Sequence, residues 1–168
     1  MMTADLLADA LGRVREVVHE VAAGLTAEQL AFRPGPRANS IGWLLWHLTR
    51  IQDDHVAAVA GTEQAWTANG WAARFGLPFG DAETGWGQTP EAAGAVRVAS
   101  ADLLTGYHDD VHAASVAFVA TVTDAELERV VDERWDPPVT LGVRLVSVLA
   151  DDLQHAGQAA YLRGLLPR

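Results

Sequence analysis

Leu7, Leu11, Val14, Val18, Val21 and Leu25 recur at alternating spacings of four and three, which predicts a helix with one buried apolar face. Thr3 stands where a cap would open this helix, and Gly24 lies near its expected end. Thr26 and Gln29 have the spacing of a capping box, so one short helical turn is expected before the Arg33 to Pro36 stretch stops it. A second long helix is predicted from about Ile41 to Ala60. Asn39 and Ser40 supply its cap, Ile41, Leu44, Leu48, Ile51 and Ala58 its apolar face, and Gly61 its break.

Between positions 61 and 89 the helical period disappears. Glycines at 61, 70, 76, 80, 85 and 87 alternate with Trp66, Trp71, Phe75, Phe79 and Trp86. A loop of this length in a single domain reads as a functional cover more than a connector. Thr89, Pro90 and Glu91 then form a cap, a first-turn proline and an acidic first turn. After a break near Ala99 and Ser100, the stripe Leu104, Tyr107, Val111, Ala114, Phe118 and Val122 predicts a third long helix. Thr123 and Glu126 repeat the capping-box spacing, Val130 to Val139 is expected to be extended and ended by Pro137 and Pro138, and a fourth helix should run from about Leu141 to Leu165. The expected fold is all-α. It is a four-helix bundle, residues 1–168 as one domain, with one long glycine- and tryptophan-rich loop between the second and third long helices.

Composition narrows the chemistry. The 168 residues include no cysteine, so any metal must be held by nitrogen and oxygen, and the chain has no thiol nucleophile of its own. The formal net charge is −10, and the basic residues are all arginines scattered singly; nucleic acid is not an expected partner. No apolar run approaches the ~20 residues of a membrane span and no leader is visible, so a cytoplasmic protein without a membrane partner is expected.

Asp151 and His155 are four residues apart on the fourth helix, on one face, where both can reach the same ion. Val148, Ala159 and Leu162 bring His155 towards the apolar side, and Leu44, Leu48 and Ile51 do the same for His47, the candidate third ligand. Asp152 is the local rival of Asp151, and two histidines that only hydrogen-bond inside the bundle are the plainer alternative. Asp54, seven residues after His47, is a candidate catalytic base or supporting group, and Arg144 a candidate for a substrate carboxylate. Trp71, Trp86, Tyr107 and Gln158 are candidate pocket residues. His108 and His112 are also ligand-spaced, but Asp109, Asp110 and the apolar stripe leave at least His112 on the outer edge, and a solvated face is expected for the pair.

The stretch from Asn39 to Leu48 (NSIGWLLWHL) and the segment from Gln154 to Gln158 (QHAGQ) resemble, at this separation, the DinB-like superfamily of metal-binding four-helix bundles. The resemblance spans nearly the whole chain and is strongest to the actinobacterial branch related to mycothiol-dependent maleylpyruvate isomerase. It implies one divalent metal held by a histidine on the second helix and a His-x3-His pair on the fourth, which fall at His47, Asp151 and His155. The first member of the pair is an aspartate here, as it is a carboxylate in the isomerase branch, and zinc, nickel or manganese would accept it. The implied function is activation of a low-molecular-weight thiol such as mycothiol for transfer to, or isomerisation of, an electrophilic small molecule. A metal-dependent hydrolase with Asp54 as base, and a non-catalytic stress-response module that binds a metal or small ligand, are the alternatives. The apolar helix faces make a homodimer a reasonable expectation.

Overall fold

Caps and periodicity set the boundaries of most helices. The computed structural model describes residues 2–166. In chain order it contains α1 (Thr3–Ala22), α2 (Ala27–Leu30), α3 (Ile41–Ala60), α4 (Ala65–Ala68), α5 (Trp71–Phe75), α6 (Pro90–Ala95), α7 (Ala101–Val119) and α8 (Leu141–Gly164), with strands β1 (Val130–Asp132) and β2 (Val139–Thr140) ahead of the last helix. The Ser40 hydroxyl accepts from the Trp43 amide at the start of α3, Thr26 from Gln29, Thr89 from Ala92 and Thr140 from Val143, each filling one of the amide donors that a helix start leaves unpaired. Gly61 closes α3 with φ +71°, a left-handed conformation that glycine adopts without a Cβ penalty. Thr3 is not a cap. It is the first helical residue, and its hydroxyl is donated to Asp124.

The four long helices pack as an all-α bundle in which α3 lies against both α7 and α8, and α1 against the same two from the other side. His47 faces Asp151 while His55 meets Arg144, so α3 and α8 run antiparallel. The first half of α3 is buried from Ile41 to Asp53, and its polar residues must therefore find partners inside the protein.

Two stretches differ from the expectation. The aromatic half of the 61–89 segment is not a cover but an extension of the core. Trp66, Trp71 and Phe75 are buried, and their rings lie 5.1, 5.9 and 5.8 Å from that of Tyr107. The extended stretch folds back on itself as a hairpin, with Val130 opposite Thr140 and Asp132 opposite Val139, and so packs Asp132 beside the first turns of α8.

His108 also departs from the solvated face predicted for it. It stands one turn after Leu104 and one before Val111, on the apolar stripe itself, and it is fully buried with Nδ1 3.1 Å from the Thr49 hydroxyl. Burial, followed by neighbouring His112, lowers its pKa from 6.5 to about 3. The unfolded chain takes up a proton below pH 6.5 that the folded protein refuses until about pH 3. The stabilising contribution of neutral His108 is therefore complete above 6.5 and is lost as pH falls through this window, at up to about 1.4 kcal/mol per unit. Urea unfolding of His108→Gln between neutrality and about pH 5 should show a flatter dependence of stability on pH than wild type. Equal slopes would place the acid sensitivity elsewhere.

Candidate metal centre

His47 reaches the groove between α3 and α8 from the middle of the buried half of α3. Trp43, one turn earlier, stacks on its ring at 4.5 Å with 18° between the planes, and the Trp43 indole is fixed in turn by a 2.8 Å hydrogen bond to Gln88. From α8, Asp151 and His155 enter the same groove. The His155 ring stands edge-on to that of His47 at 4.9 Å. His47 Nε2 lies 4.0 Å from Asp151 Oδ2, and His155 Nε2 lies 3.5 Å from Asp151 Oδ1. One ligand atom from each of the three residues lies within 4.8 Å of the others. Donors about 2.0–2.1 Å from a tetrahedral ion are separated by roughly 3.4 Å, so the group needs only slight contraction to close on one.

Proton positions favour the same use. His47 Nδ1 is 2.6 Å from the Thr84 carbonyl oxygen, and His155 Nδ1 is 2.9 Å from Gln158 Oε1. Both oxygens accept, so each neutral ring carries its proton on Nδ1 and turns the Nε2 lone pair towards Asp151, the arrangement that orients metal-ligating histidines. Burial holds the His47 imidazole below its ordinary pKa, which keeps it neutral and fit to donate. At His155 burial also pulls down, yet the nearby Asp151 carboxylate and the bond to Gln158 leave its pKa raised; the Asp151 side of the groove attracts a cation. Asp151 Oδ2 is buried without a hydrogen-bond partner, an expensive state for a carboxylate oxygen and the one a metal would relieve. Asp152 lies outside this group, fully buried in the core, where burial and then the nearby Asp151 charge push its carboxyl well above the ordinary range.

The remaining candidate residues fall in three places. Gln158 is at the centre, as the partner of His155, and beside it a cavity of about 340 Å³ is lined by Asn39, Leu44 and Tyr161. Asp54 and Arg144 lie further along the groove, around a second cavity. The Asp54 carboxylate accepts from Gln64, and Arg144 contacts His55 and Asp132. Trp71 and Tyr107 lie in the buried aromatic cluster, where the Trp71 indole donates to Asp110 and the Tyr107 hydroxyl donates to Asp53. Trp86 is 80% exposed, next to Gly85.

Three groups of evident importance to the site were not singled out from the sequence. Arg50 is wholly buried on α3, and its guanidinium donates to the carbonyls of Glu83 and Asp81 and to the Gln64 side chain while lying 5.0 Å above the Trp66 ring. It ties the 81–84 segment to the core. That segment delivers the second group, the Thr84 carbonyl that orients His47. The third is Gly85, whose φ is +91° and whose place leaves no room for a side chain: a Cβ there would be 2.8 Å from His47 Nδ1. A positive φ and a close approach to a histidine are properties of the folded loop, and only the position of Arg50 within an apolar run was a signal available beforehand.

Comparison with known proteins bears on the family and the fold. The chain matches the model of the family described as mycothiol-S-transferase over residues 6–167. A crystal structure titled as the conserved protein of a locus from Enterococcus faecalis is 34% identical and superimposes with a TM-score of 0.91, over 97% of this chain and 96% of that one. Among curated proteins, nothing matches the chain. Family match and fold together show that the chain belongs to the mycothiol-S-transferase family of DinB-like helical bundles.

Proposed function

We propose that the protein holds a divalent metal ion between His47, Asp151 and His155 and uses it to activate a low-molecular-weight thiol, of the mycothiol type, for transfer to an electrophilic small molecule. The observation that carries this reading is the pair of imidazoles turned by Thr84 and Gln158 so that both Nε2 atoms face the Asp151 carboxylate, one oxygen of which is buried and unpartnered. Family membership supplies the chemistry to which such a centre would be put. A divalent cation in this position supplies a Lewis acid that keeps a bound thiol deprotonated near neutral pH. The chain, having no cysteine, cannot provide that sulfur itself. Three protein donors leave one side of a tetrahedral centre open for it. Trp43 stacks on His47 and screens that ring from water, and the cavity of about 340 Å³ beside Gln158 gives the body of the thiol a place adjacent to the centre.

Elemental analysis of the protein reloaded with zinc, nickel, manganese or cobalt should find a single ion per chain in wild type. Little should remain in His47→Ala or His155→Ala. In the cobalt form, mycothiol should produce a sulfur-to-metal charge-transfer band, and loss of an electrophile should depend on added thiol. A protein that binds none of these ions, or a His155→Ala variant that keeps its metal, would contradict the proposal. A metal spectrum indifferent to thiols, combined with hydrolysis of an ester, would replace the transferase with a hydrolase.

A further inference from the structure

Arg144 precedes Asp151 by seven residues and Asp54 follows His47 by seven. Two helical turns bring each back to nearly the same side of its helix, so the groove that holds the three ligands continues to these residues. It widens there into a cavity of about 470 Å³ lined by Asp54, His55, Arg129, Asp132, Arg134 and Arg144. In a chain of net charge −10, this cavity has the opposite balance, three guanidinium groups against two carboxylates. Asp132 is already held by Arg134 through two contacts of 2.9 and 2.8 Å, and Arg144 Nη2 reaches the same carboxylate at 3.1 Å. One negative charge thus serves two cations. Asp54 accepts from Gln64, and Arg129 donates to the Val59 carbonyl, a neutral partner.

Arg144 is the group best placed to use the surplus. Its side chain is only 18% exposed, which limits screening by water. It donates from Nη1 to His55 and from Nη2 to Asp132, leaving other members of its five N–H donors free. His55 is kept from charging first by burial and then by Arg144 itself, so it adds no competing cation and can act as an acceptor for the guanidinium.

We infer that this cavity is a binding site for the carboxylate of the electrophilic substrate, with Arg144 as its main partner. A monoanion matches the single excess positive charge of the lining, whereas a phosphate dianion would exceed it. A planar carboxylate also suits the forked donor geometry of arginine. The inference rests on the thiol-transfer reading for the word electrophile, but not for the anion site. From Asp151 to Arg144 is about 10 Å along the helix axis, so the substrate is an extended acid whose carboxylate and reactive carbon are separated by roughly that span.

Two measurements on the metal-loaded protein test it. In the first, hexanoate and hexanamide are titrated without thiol and followed by calorimetry. Wild type should bind the acid at least about tenfold more tightly than the amide. Arg144→Gln should lose that preference while retaining its metal, and Arg129→Gln, which leaves the Arg144 contacts in place, should lose part of it. Equal binding of acid and amide by wild type, or an undiminished preference in Arg144→Gln, would overturn the site. In the second, thiol is supplied with a series of ω-bromoalkanoates and their amides. The thiolate sulfur forms a bond to the terminal carbon as the carbon–bromine bond breaks; bromide leaves and the thiol proton passes to solvent. Preference for acid over amide should emerge only when the chain spans about 10 Å. Acid binding with no thiol-dependent release of bromide would refute the transferase reading and keep the carboxylate site. Bromide release from acids and amides alike, without acid binding, would refute the site alone.

Discussion

Replacing Arg50 with methionine should destabilise the protein by about 3–5 kcal/mol, the usual consequence of removing one member of a buried charge pair, and should lower Tm by roughly 10 °C in a chain of this size. Arg50 is fully buried, with Nη1 3.8 Å from Asp53 Oδ2. Asp53 keeps its bonds from the amides of Ala65 and Trp66 and from the Tyr107 hydroxyl, yet it would hold its charge in a nearly dry core without a cation. The carbonyls of Asp81 and Glu83 would lose their donor as well. Adding Asp53→Asn should restore part of the loss, because it removes the uncompensated charge. Chemical denaturation of the single and double variants checks this. An Arg50→Met protein within about 1 kcal/mol of wild type would mean that water reaches the pair and screens it. The same substitution should weaken metal binding, since the segment Arg50 anchors carries the Thr84 carbonyl that orients His47.

What could be read from the chain, and what could not, follows from the range of the interactions involved. The helix starts at Ser40, Thr89 and Thr140 rest on bonds to an amide three residues on, so local spacing contains all the information. His47, Asp151 and His155 came together for a related reason. Asp151 and His155 share one helix turn, and apolar neighbours turned both histidines inward. For His108 the acidic neighbours Asp109 and Asp110 point to solvent, but it stands on the stripe between Leu104 and Val111 and is buried, because on a helix the angular position decides burial. Arg50 offered one local sign, since it stands between Leu48 and Ile51 of the apolar stripe. Asp53 is one turn away, but the hydrogen-bond partners of Arg50 are 14 to 57 residues away, and no local pattern names them. The aromatic segment failed for the same cause. Trp66, Trp71 and Phe75 look like exposed loop residues until Tyr107, from a different helix, provides the surface on which they pack.

Gly85→Ala should weaken metal binding by about 10–100-fold, the range found when the group that orients a ligating histidine is disturbed. The new Cβ would stand 2.8 Å from His47 Nδ1 and 3.1 Å from atoms of both Trp43 and Trp46. The two tryptophans are buried in the core and cannot give way, so the imidazole must turn or the loop must lift, and either movement breaks the bond to Thr84. Alanine at a positive φ also carries about 1–2 kcal/mol of backbone strain, which could be mistaken for the steric effect. Gly87 separates the two, because its φ is +70° but nothing lies within 4 Å of its would-be Cβ. Gly87→Ala should therefore show a similar loss of stability in thermal unfolding with metal affinity close to wild type, whereas Gly85→Ala should lose both. Titration against a competing chelator gives the affinities. If the two alanine variants bind metal equally well, the Thr84 and Gly85 segment does not position His47, and orientation of that ring must come from its stacking on Trp43 alone.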